Sequence, residues 1–312
     1  MRLPKEIRSH FFSSYLTLLF IPTLPLPTTT KNMNEKIILI TGGNDGIGKA
    51  TAIGLAKMGA TVIIACRNAQ KAEEAVLDIQ KESDNAKVEA LSLDLASFDS
   101  IRRCAAQFQE RYNQLDVLVN NAGVFTSTLQ LTEEGYELQF GVNHLGHFLL
   151  THLLLPQLQA APSPRVVNVS SVGHYRGKID FNNLRGENST YIGWNAYTRS
   201  KLANVLFTRA FAQRYPHILC NALHPGGVRT NIATKDSGWL VSFVWKTLGF
   251  RMVSTEQGAQ TSIYLAASPQ VAQVSGKYFD EKQHIQTPAT LAQDDELAKK
   301  LWEYSETAIQ AG

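Results

Sequence analysis

Tyr197 and Lys201 could move protons together, because they lie four residues apart in a stretch with helical periodicity. That spacing puts both side chains on one face of a helix, one turn apart. A nearby ammonium favours the phenolate and lowers the pKa of a tyrosine from its free value of about 10 towards neutral pH. We therefore expect Tyr197 to act as a general acid–base catalyst. The spacing is common in helices, so a solvated helix face is the alternative interpretation of this pair alone.

A glycine-rich turn near the start of the chain is the second candidate. The apolar run of residues 37–40 ends at Thr41, glycines follow at positions 42, 46 and 48, and a helical pattern then begins. A helix N-terminus with free backbone N–H groups binds phosphate, and glycine lets a pyrophosphate approach closely. Because these glycines lie between a buried strand and an amphipathic helix, they predict a dinucleotide site.

The elements that position these residues alternate along the chain. The predicted strands cover residues 37–41, 61–65, 88–93, 115–119, 165–169 and 218–223, and the predicted helices follow the glycine turn and cover 68–82, 98–112, 133–155 and 195–214. Strands that are almost entirely apolar are buried on both faces, which favours a parallel sheet. The alternation implies right-handed crossovers, so residues 33–312 are predicted to form one α/β domain with a doubly wound parallel sheet.

Ligands of such sheets bind at the carboxyl ends of the strands. The second strand ends in Cys66-Arg67, where a guanidinium replaces the carboxylate that would bind the ribose hydroxyls of NAD. Arg67 therefore predicts NADP(H), with a plain surface arginine as the alternative. The fourth strand ends in Asn120-Asn121-Ala122-Gly123, which either borders adenine or forms an ordinary turn. Of Ser170 and Ser171 after the fifth strand, only one can face the cleft.

These motifs together resemble the short-chain dehydrogenase/reductase family, from about residue 36 to 280. The matching motifs, in the family's order, are Thr41-Gly42-x-x-x-Gly46-x-Gly48, Asn120-Asn121-Ala122-Gly123, Asn143, Ser171, Tyr197-x-x-x-Lys201 and Pro225-Gly226. The stretches 42–49, 66–68, 143–148 and 169–174 are similar to the retinol dehydrogenase-like branch, which is mostly NADP-linked. The resemblance implies a Rossmann fold and an NADP(H)-dependent oxidoreductase.

The resemblance also implies a role for each site residue. Tyr197 would exchange a proton with the substrate oxygen, Ser171 would bind that oxygen, and Lys201 would bind the nicotinamide ribose. Asn143 would hold a water that links Lys201 to solvent. The implied cofactor-binding residues are Gly42, Asn44, Gly46, Ile47, Gly48, Arg67, Asp94, Leu95, Asn121, Tyr197, Lys201, Pro225, Gly226 and Thr230.

No metal site is expected. His144, His147 and His152 lie on one predicted helix, but neither a carboxylate nor a cysteine completes a ligand set, so we interpret them as structural. The role of His174, which is close to Ser171, stays open. Cys66, Cys104 and Cys220 lack metal-ligand spacing and fit a reducing compartment, so a cytoplasmic location is expected.

The activity implied by the resemblance is the interconversion of an alcohol with an aldehyde or ketone. Eight large apolar residues in the family's lid region favour a hydrophobic substrate, such as a retinoid, steroid or lipid, or contact with a membrane surface; a helix packed on the domain's own core is the alternative. These are Trp239, Leu240, Val241, Phe243, Val244, Trp245, Leu248 and Phe250. The rival functions are a non-catalytic NADP(H)-sensing protein and a light-dependent tetrapyrrole reductase. The intact Tyr, Lys, Ser and Asn set argues against the sensor.

Charge and the first 32 residues complete the expectations. Residues 1–32 hold four of the 30 basic and one of the 27 acidic residues, which leaves 26 of each sign in the rest of the chain. No basic face is implied, so nucleic acid is not an expected partner. The apolar run within residues 10–21 is too short to span a bilayer. We expect a leader that is either disordered or non-native, with Met33 as the true start in the second case, and a membrane anchor is the alternative. The family implies a homodimer that pairs through the helices near 133–155 and 195–214.

Overall fold

An eight-stranded sheet in the order β3-β2-β1-β4-β5-β6-β7-β8 forms the centre of the fold. The computed structural model describes residues 33–186, 190–227 and 253–311. The strands are β1 Ile37–Thr41, β2 Thr61–Cys66, β3 Val88–Ser92, β4 Val117–Asn120, β5 Arg165–Val169, β6 Leu219–Leu223, β7 Tyr278–Phe279 and β8 Ile285–Gln286. Strands β1 to β7 pair in parallel, and β8 pairs antiparallel with β7.

Helices cover both faces of this sheet. The α-helices are α1 Gly46–Lys57, α2 Ala69–Ser83, α3 Phe98–Arg111, α4 Leu138–Phe140, α5 Gly146–Leu153, α6 Leu155–Ala160, α7 Gly193–Arg214, α8 Thr255–Ala267 and α9 Asp295–Gln310. Successive residues of β1 belong to different cores, because Leu39 packs with α3, α5 and α7, while Ile38 and Ile40 pack with α1, α2 and α8. The doubly wound α/β fold predicted from the apolar strands is therefore confirmed.

Over residues 37–223 the predicted elements match the structure closely, apart from the start of one helix, whereas the helices α8 and α9 that follow were not predicted. The ends of the six predicted strands lie within two residues of the observed ends, but β7 and β8 were not predicted, since two residues show no periodicity. The helix predicted over 133–155 begins at Leu138, after Glu137 accepts hydrogen bonds from the backbone N–H groups of Gln139 and Phe140. It then widens into a π-helix over Gly141–Leu145 before α5.

Helix α9 packs across the two long helices through which we expected a second copy to bind. The ring centroid of Trp302 lies 4.9 Å from that of Phe148 on α5 and 5.9 Å from that of Phe207 on α7. Trp302 is only 5% exposed. Helix α9 thus packs on part of these two helices, a contact that the sequence analysis did not foresee; the homodimer stays a prediction.

Several sequence predictions lie outside the described residues. These are the leader of residues 1–32, the cofactor-binding assignment of Thr230 and the apolar stretch of residues 239–250. Within the ranges that the structure does describe, none of the helices combines the length and apolar character needed to cross a membrane.

Candidate active site

The glycine turn connects β1 to α1 with a backbone that only glycine adopts readily. Gly42 and Gly46 have φ values of +66° and +55°, in the left-handed region. A Cβ on Gly48 would collide with the carbonyl oxygen of Gly42, so α1 can approach the turn only because residue 48 is glycine. Ile47 is buried under this turn. The N-terminus of α1 and this close-packed backbone fit the pyrophosphate of a dinucleotide.

The Thr41 hydroxyl joins this turn to the next strand end. Its oxygen accepts hydrogen bonds from the backbone N–H groups of Asn121 at 2.9 Å and Ala122 at 3.0 Å. The amide of Asn121 donates to the carbonyl oxygen of Thr41 at 2.8 Å. Asn121 therefore binds the glycine turn itself, and Asn44 lies half-buried in that turn.

His147 connects the same hydroxyl to Asn143. Its Nδ1 lies 3.1 Å from the carbonyl oxygen of Asn143 and must donate to it, so Nε2 accepts from the Thr41 hydroxyl at 2.8 Å. Burial lowers the pKa of His147 to about 4, which keeps the ring neutral. The carbonyl group of Asn143 is thus tied to the glycine turn through one neutral imidazole.

The Asn143 side chain lies in the π-helix and contacts two further elements. Its Oδ1 accepts from the backbone N–H of Val124 at 2.7 Å, and its Nδ2 donates to Ser200 Oγ at 2.9 Å. Ser200 Oγ in turn donates to the carbonyl oxygen of Tyr197 at 2.8 Å. A π-turn often marks a functional position in a helix, and here it joins Asn143 to the helix that carries Tyr197.

Tyr197, Lys201 and Ser171 lie together at the carboxyl end of β5. Ser170 Oγ donates to the carbonyl oxygen of Lys201 at 2.8 Å, which leaves Ser171 to face the cleft. Ser171 Oγ accepts from the backbone N–H of Gly173 at 3.1 Å and shares a side-chain hydrogen bond with Tyr197. Lys201 Nζ lies 5.7 Å from the Tyr197 ring centroid. The structure therefore brings all four predicted catalytic residues into one connected group.

The electrostatics of the pair differ from the expectation. Burial raises the pKa of Tyr197, and the hydrogen bond with Ser171 is what lowers it in part. Burial also lowers the pKa of Lys201 to about 8, and its Nζ donates to the carbonyl oxygen of Val169 at 3.1 Å. We expected the Lys201 ammonium to lower the pKa of Tyr197, but here burial acts in the opposite direction, because loss of water around the phenol disfavours the phenolate.

The residues predicted to bind the adenosine half are split between the surface and the core. The Arg67 side chain is 78% exposed, and its Nη1 lies 3.9 Å from Asp94 Oδ2, which is too exposed a pair to hold the guanidinium firmly. Asp94 Oδ1 accepts from the backbone N–H of Ala96 at 2.9 Å. Leu95 is buried in the core, so its side chain does not reach the cleft, and any cofactor contact falls to its backbone.

Pro225 and Gly226 follow β6, where a histidine and a carboxylate meet. The backbone N–H of Gly226 donates to His224 Nδ1 at 3.3 Å, and His224 Nε2 lies 3.5 Å from Glu281 Oε2. Burial lowers the pKa of His224 despite this carboxylate. The turn predicted at the nicotinamide end is therefore joined to the residues after β7.

Aromatic side chains flank Tyr197, and sequence reasoning missed them. The ring of Trp194 stacks on that of Tyr197 with centroids 5.9 Å apart, and Phe125 meets it edge-on at 5.8 Å. Ile192, which precedes α7, and Val172, which follows Ser171 in the sequence, are exposed. Helix spacing could have placed Trp194 beside Tyr197, whereas Phe125 is too distant in sequence to be found that way.

The buried histidines bind protein groups. His144 Nε2 lies 3.0 Å from Ser305 Oγ, and burial lowers its pKa to about 3. His174 Nδ1 lies 2.8 Å from the carbonyl oxygen of Ser171. In the part of the chain that the structure describes, no cluster of three histidine, cysteine or acidic residues could hold a metal ion.

Comparison with known proteins agrees with this geometry. The profile of the short chain dehydrogenase family matches residues 36–240. Human retinol dehydrogenase 13 is 45% identical over 273 residues, which cover 86% of this chain and 82% of the relative. Human retinol dehydrogenase 14 is 43% identical and covers 89% of this chain and 87% of its own length.

Solved structures share the fold. An uncharacterised protein from Mycobacterium paratuberculosis superposes with a TM-score of 0.73 and 34% identity, covering 89% of this chain and 95% of that one. A short chain dehydrogenase from Shigella flexneri complexed with NADP has a TM-score of 0.63 and 24% identity, covering 81% of this chain and 99% of that one. The chain belongs to the short-chain dehydrogenase family of oxidoreductases and lies within its retinol dehydrogenase-like branch.

Proposed function

We propose that this protein is an NADP(H)-dependent oxidoreductase that interconverts an alcohol with an aldehyde or ketone on a hydrophobic substrate. The observation that carries the proposal is the hydrogen bond between Ser171 and Tyr197 beside the buried Lys201. Two hydroxyl groups that face one point can both donate to a carbonyl oxygen placed there. Bound NADPH would supply the hydride to the carbonyl carbon.

The protein's own groups handle the proton. Ser171 Oγ already accepts from Gly173, so its hydrogen is free to orient towards Tyr197 or a substrate oxygen. Burial raises the pKa of Tyr197, which keeps the phenol protonated and ready to donate in the reducing direction. Lys201 places a positive charge near the phenolate that forms. Asn143 and Ser200 fix the turn of α7 between Tyr197 and Lys201 through their hydrogen bonds. A water held by Asn143 would link Lys201 to solvent in the same proton transfer.

The choice of NADP(H) rests on the end of β2. Cys66 and Arg67 stand where an NAD-binding protein would need a carboxylate for the ribose hydroxyls. The exposed guanidinium of Arg67 can turn from its weak partner Asp94 to a 2′-phosphate. The similar structure from Shigella flexneri, which is complexed with NADP, shows that a protein with this fold can bind the cofactor.

The substrate class rests on the aromatic groups around Tyr197. Phe125 and Trp194 offer apolar surface next to the reacting hydroxyl, and such surface binds a hydrophobic chain or ring system. Relatives that are 40–45% identical carry the name retinol dehydrogenase. A retinoid, steroid or lipid-like alcohol or aldehyde is the substrate class we propose.

The rest of the proposal concerns organisation and location. Residues 33–312 would form the cofactor-binding domain, with residues 1–32 as a leader. We propose a cytoplasmic location, with membrane contact through the leader or residues 239–250. No nucleic acid partner is proposed, since the charge of residues 33–312 is balanced.

The test is a screen of the purified full chain against apolar aldehydes, ketones and retinoids, with NADPH and NADH compared by loss of reduced-cofactor absorbance. Turnover of an apolar carbonyl with NADPH supports the proposal. NADPH binding without turnover of any carbonyl would contradict it and indicate a sensor. Turnover of a tetrapyrrole that occurs only in light would indicate the second rival.

A further inference from the structure

Glu137 is a buried carboxylate outside the four catalytic residues, and its oxygens bind groups from two parts of the chain. Oε1 accepts from the backbone N–H of Gln139 at 2.9 Å and from the Tyr191 hydroxyl at 2.8 Å. Oε2 accepts from the backbone N–H of Phe140 at 2.9 Å and from Arg199 Nη2 at 3.4 Å. The Glu137 side chain is fully buried and that of Arg199 is 9% exposed, so this ion pair is shielded from water.

The partners of Glu137 lie on the two elements that carry the catalytic residues. Its hydrogen bonds to backbone N–H groups begin α4, which continues directly into the π-helix that holds Asn143. Arg199 lies on α7, two residues after Tyr197 and two before Lys201. The Glu137 carboxylate therefore connects the π-helix that holds Asn143 to the turn of α7 that lies between Tyr197 and Lys201.

The start of α7 depends on the same network. Ile192 precedes the helix, and its apolar side chain cannot cap the free backbone groups. Gln139 Nε2 holds this first turn in another way, since it donates to the Tyr191 hydroxyl at 2.7 Å and to the carbonyl oxygen of Gly193 at 2.9 Å. A Cβ on Gly193 would collide with the carbonyl oxygen of Thr126, so the first turn of α7 packs directly on the chain that carries Phe125.

A buried ion pair is a weak source of stability, because the cost of removing both charges from water offsets much of their attraction. Apolar residues of similar volume often serve a core equally well. A charged pair with directed hydrogen bonds does fix the relative positions of the elements that carry it. Arg199 Nη1 adds a further such bond, because it donates to the carbonyl oxygen of Asn183 at 2.7 Å. The network therefore restricts how α7 can turn or slide relative to the π-helix.

We infer that Glu137 is a positioning residue for the proposed reaction, which acts through Arg199 and Tyr191 to set the orientation of Tyr197 and Lys201 against Asn143. The inference rests on the proposed function. It assigns to Glu137 no contact with substrate or cofactor, because its four hydrogen bonds all go to protein groups.

The test compares Glu137→Gln with Glu89→Gln in the full-length protein. Glutamine keeps the volume of Glu137 but turns an NH2 group towards hydrogen-bond donors, whereas Glu89 pairs with Arg111 on the surface of the fold and gives the same change of charge. We expect kcat for an apolar aldehyde to fall by about 100-fold in Glu137→Gln, as a small misplacement of catalytic groups does. The loss of NADPH affinity should be smaller than the loss of kcat, and Glu89→Gln should match the wild type in both.

The pH profile of kcat separates positioning from a role in folding alone. The profile is measured well below the Tm of Glu137→Gln. If Glu137 positions Tyr197, the part of the profile that reflects ionisation of the tyrosine should be shifted in this variant. A lower Tm with unchanged kcat and pH profile would overturn the inference. If Glu137→Gln does not fold, Tyr191→Phe removes one hydroxyl and leaves the ion pair, and the same shift with a smaller loss of kcat is expected; an unchanged kcat and profile there would overturn the inference.

A readout without turnover keeps the two proposals distinguishable. Hydrogen exchange of the amides of residues 193–201, compared with those of α9, measures how firmly the start of α7 is held. Faster exchange confined to residues 193–201 in Glu137→Gln supports the inference. If the wild-type chain reduces no carbonyl, that separate finding contradicts only the proposed function. Unchanged exchange of these amides would overturn the inference.

Discussion

His174 Nε2 accepts a hydrogen bond from the backbone N–H of Ala289 at 3.1 Å. The opposite ring nitrogen, Nδ1, lies 2.8 Å from the carbonyl oxygen of Ser171 and donates to it, so the tautomer is fixed by its two partners. Burial lowers the pKa of His174 to about 4, which keeps the ring neutral near pH 7. The imidazole thus joins the turn of the proposed substrate-binding serine to the chain beyond β8.

Two substitutions separate these hydrogen bonds. His174→Asn keeps a donor near the position of Nδ1, and His174→Gln keeps an acceptor near the position of Nε2. If the bond to Ser171 orients its hydroxyl, His174→Gln should lower kcat about tenfold, while His174→Asn retains most activity and loses about 1 kcal/mol of folding stability. Steady-state kinetics and urea unfolding check both values. Equal kcat in the two variants would show that the serine turn does not depend on this bond.

Tyr197→Phe removes the proposed proton donor and keeps the ring that stacks on Trp194. We expect turnover to fall by about 10²- to 10⁴-fold, the usual contribution of a general acid. The Kd for NADPH, measured by fluorescence titration, should change little because Lys201 and the glycine turn remain. Turnover close to the wild-type rate in this variant would contradict the mechanism.

Lys201 predicts a pH dependence of cofactor use. Burial lowers its pKa from 10.5 to about 8, so the free protein loses this positive charge as the pH rises through about 8. NADPH is anionic, and a neutral Lys201 attracts it less; kcat/KM for NADPH should therefore be highest below pH 8 and fall above it. The profile of kcat/KM reports groups of the free enzyme, which makes it the right measurement.

Lys201→Arg supplies the matched control for that profile. A guanidinium stays charged across the range, so the fall in NADPH binding above pH 8 should disappear even if turnover is reduced. Direct titration of NADPH at pH 7 and pH 9 gives the comparison. A fall of equal size in the arginine variant would assign the pH dependence to another group.

The parts of the fold that were predictable share one property, which is a periodic pattern within a continuous stretch. Strands such as β2 are runs of apolar residues, and the alternation of strands and helices implies the parallel sheet. Strands β7 and β8 have two residues each, and they form only because Tyr278 pairs with Ala222 of β6 and with Gln286. Their existence depends on a sheet edge that no local pattern describes.

The candidate site divides in the same way. The spacing of Tyr197 and Lys201 and the alternation of Ser170 and Ser171 are local, and the structure places these residues as expected. The hydrogen bonds of Glu137 to Tyr191 and Arg199 join residues 54 and 62 positions apart, and no spacing rule links them. The pKa of Tyr197 was also beyond sequence reasoning, because burial decides its direction.

Arg67→Ala tests the cofactor assignment. The exposed guanidinium contributes little to folding, so the variant should keep the wild-type Tm. Loss of a charge-assisted contact with a 2′-phosphate should weaken NADPH binding by about ten- to 100-fold and leave NADH binding unchanged. Titration with both cofactors checks the difference, and Arg111→Ala, which removes an exposed guanidinium from α3, is the control. Equal loss of affinity for the two cofactors would refute the assignment of NADP(H).

Trp302 provides a test of how α9 affects self-association. Its indole fills the groove between Phe148 and Phe207, so Trp302→Ala should cost about 3–5 kcal/mol of stability, as large-to-small core changes do. The variant should also uncover apolar surface of α5 and α7 and associate with itself more than the wild type. Light scattering after gel filtration, with thermal unfolding, measures both effects.

Trp194→Ala removes the same type of side chain from an exposed position beside Tyr197 and is the matched control. We expect Trp194→Ala to raise the KM for an apolar substrate, with little change in the free energy of unfolding or in the molecular mass of the particle in solution. If the wild-type chain were a dimer that Trp302→Ala dissociates, α9 would belong to the interface between copies, and the interpretation of α9 as a cover for the two long helices would be wrong.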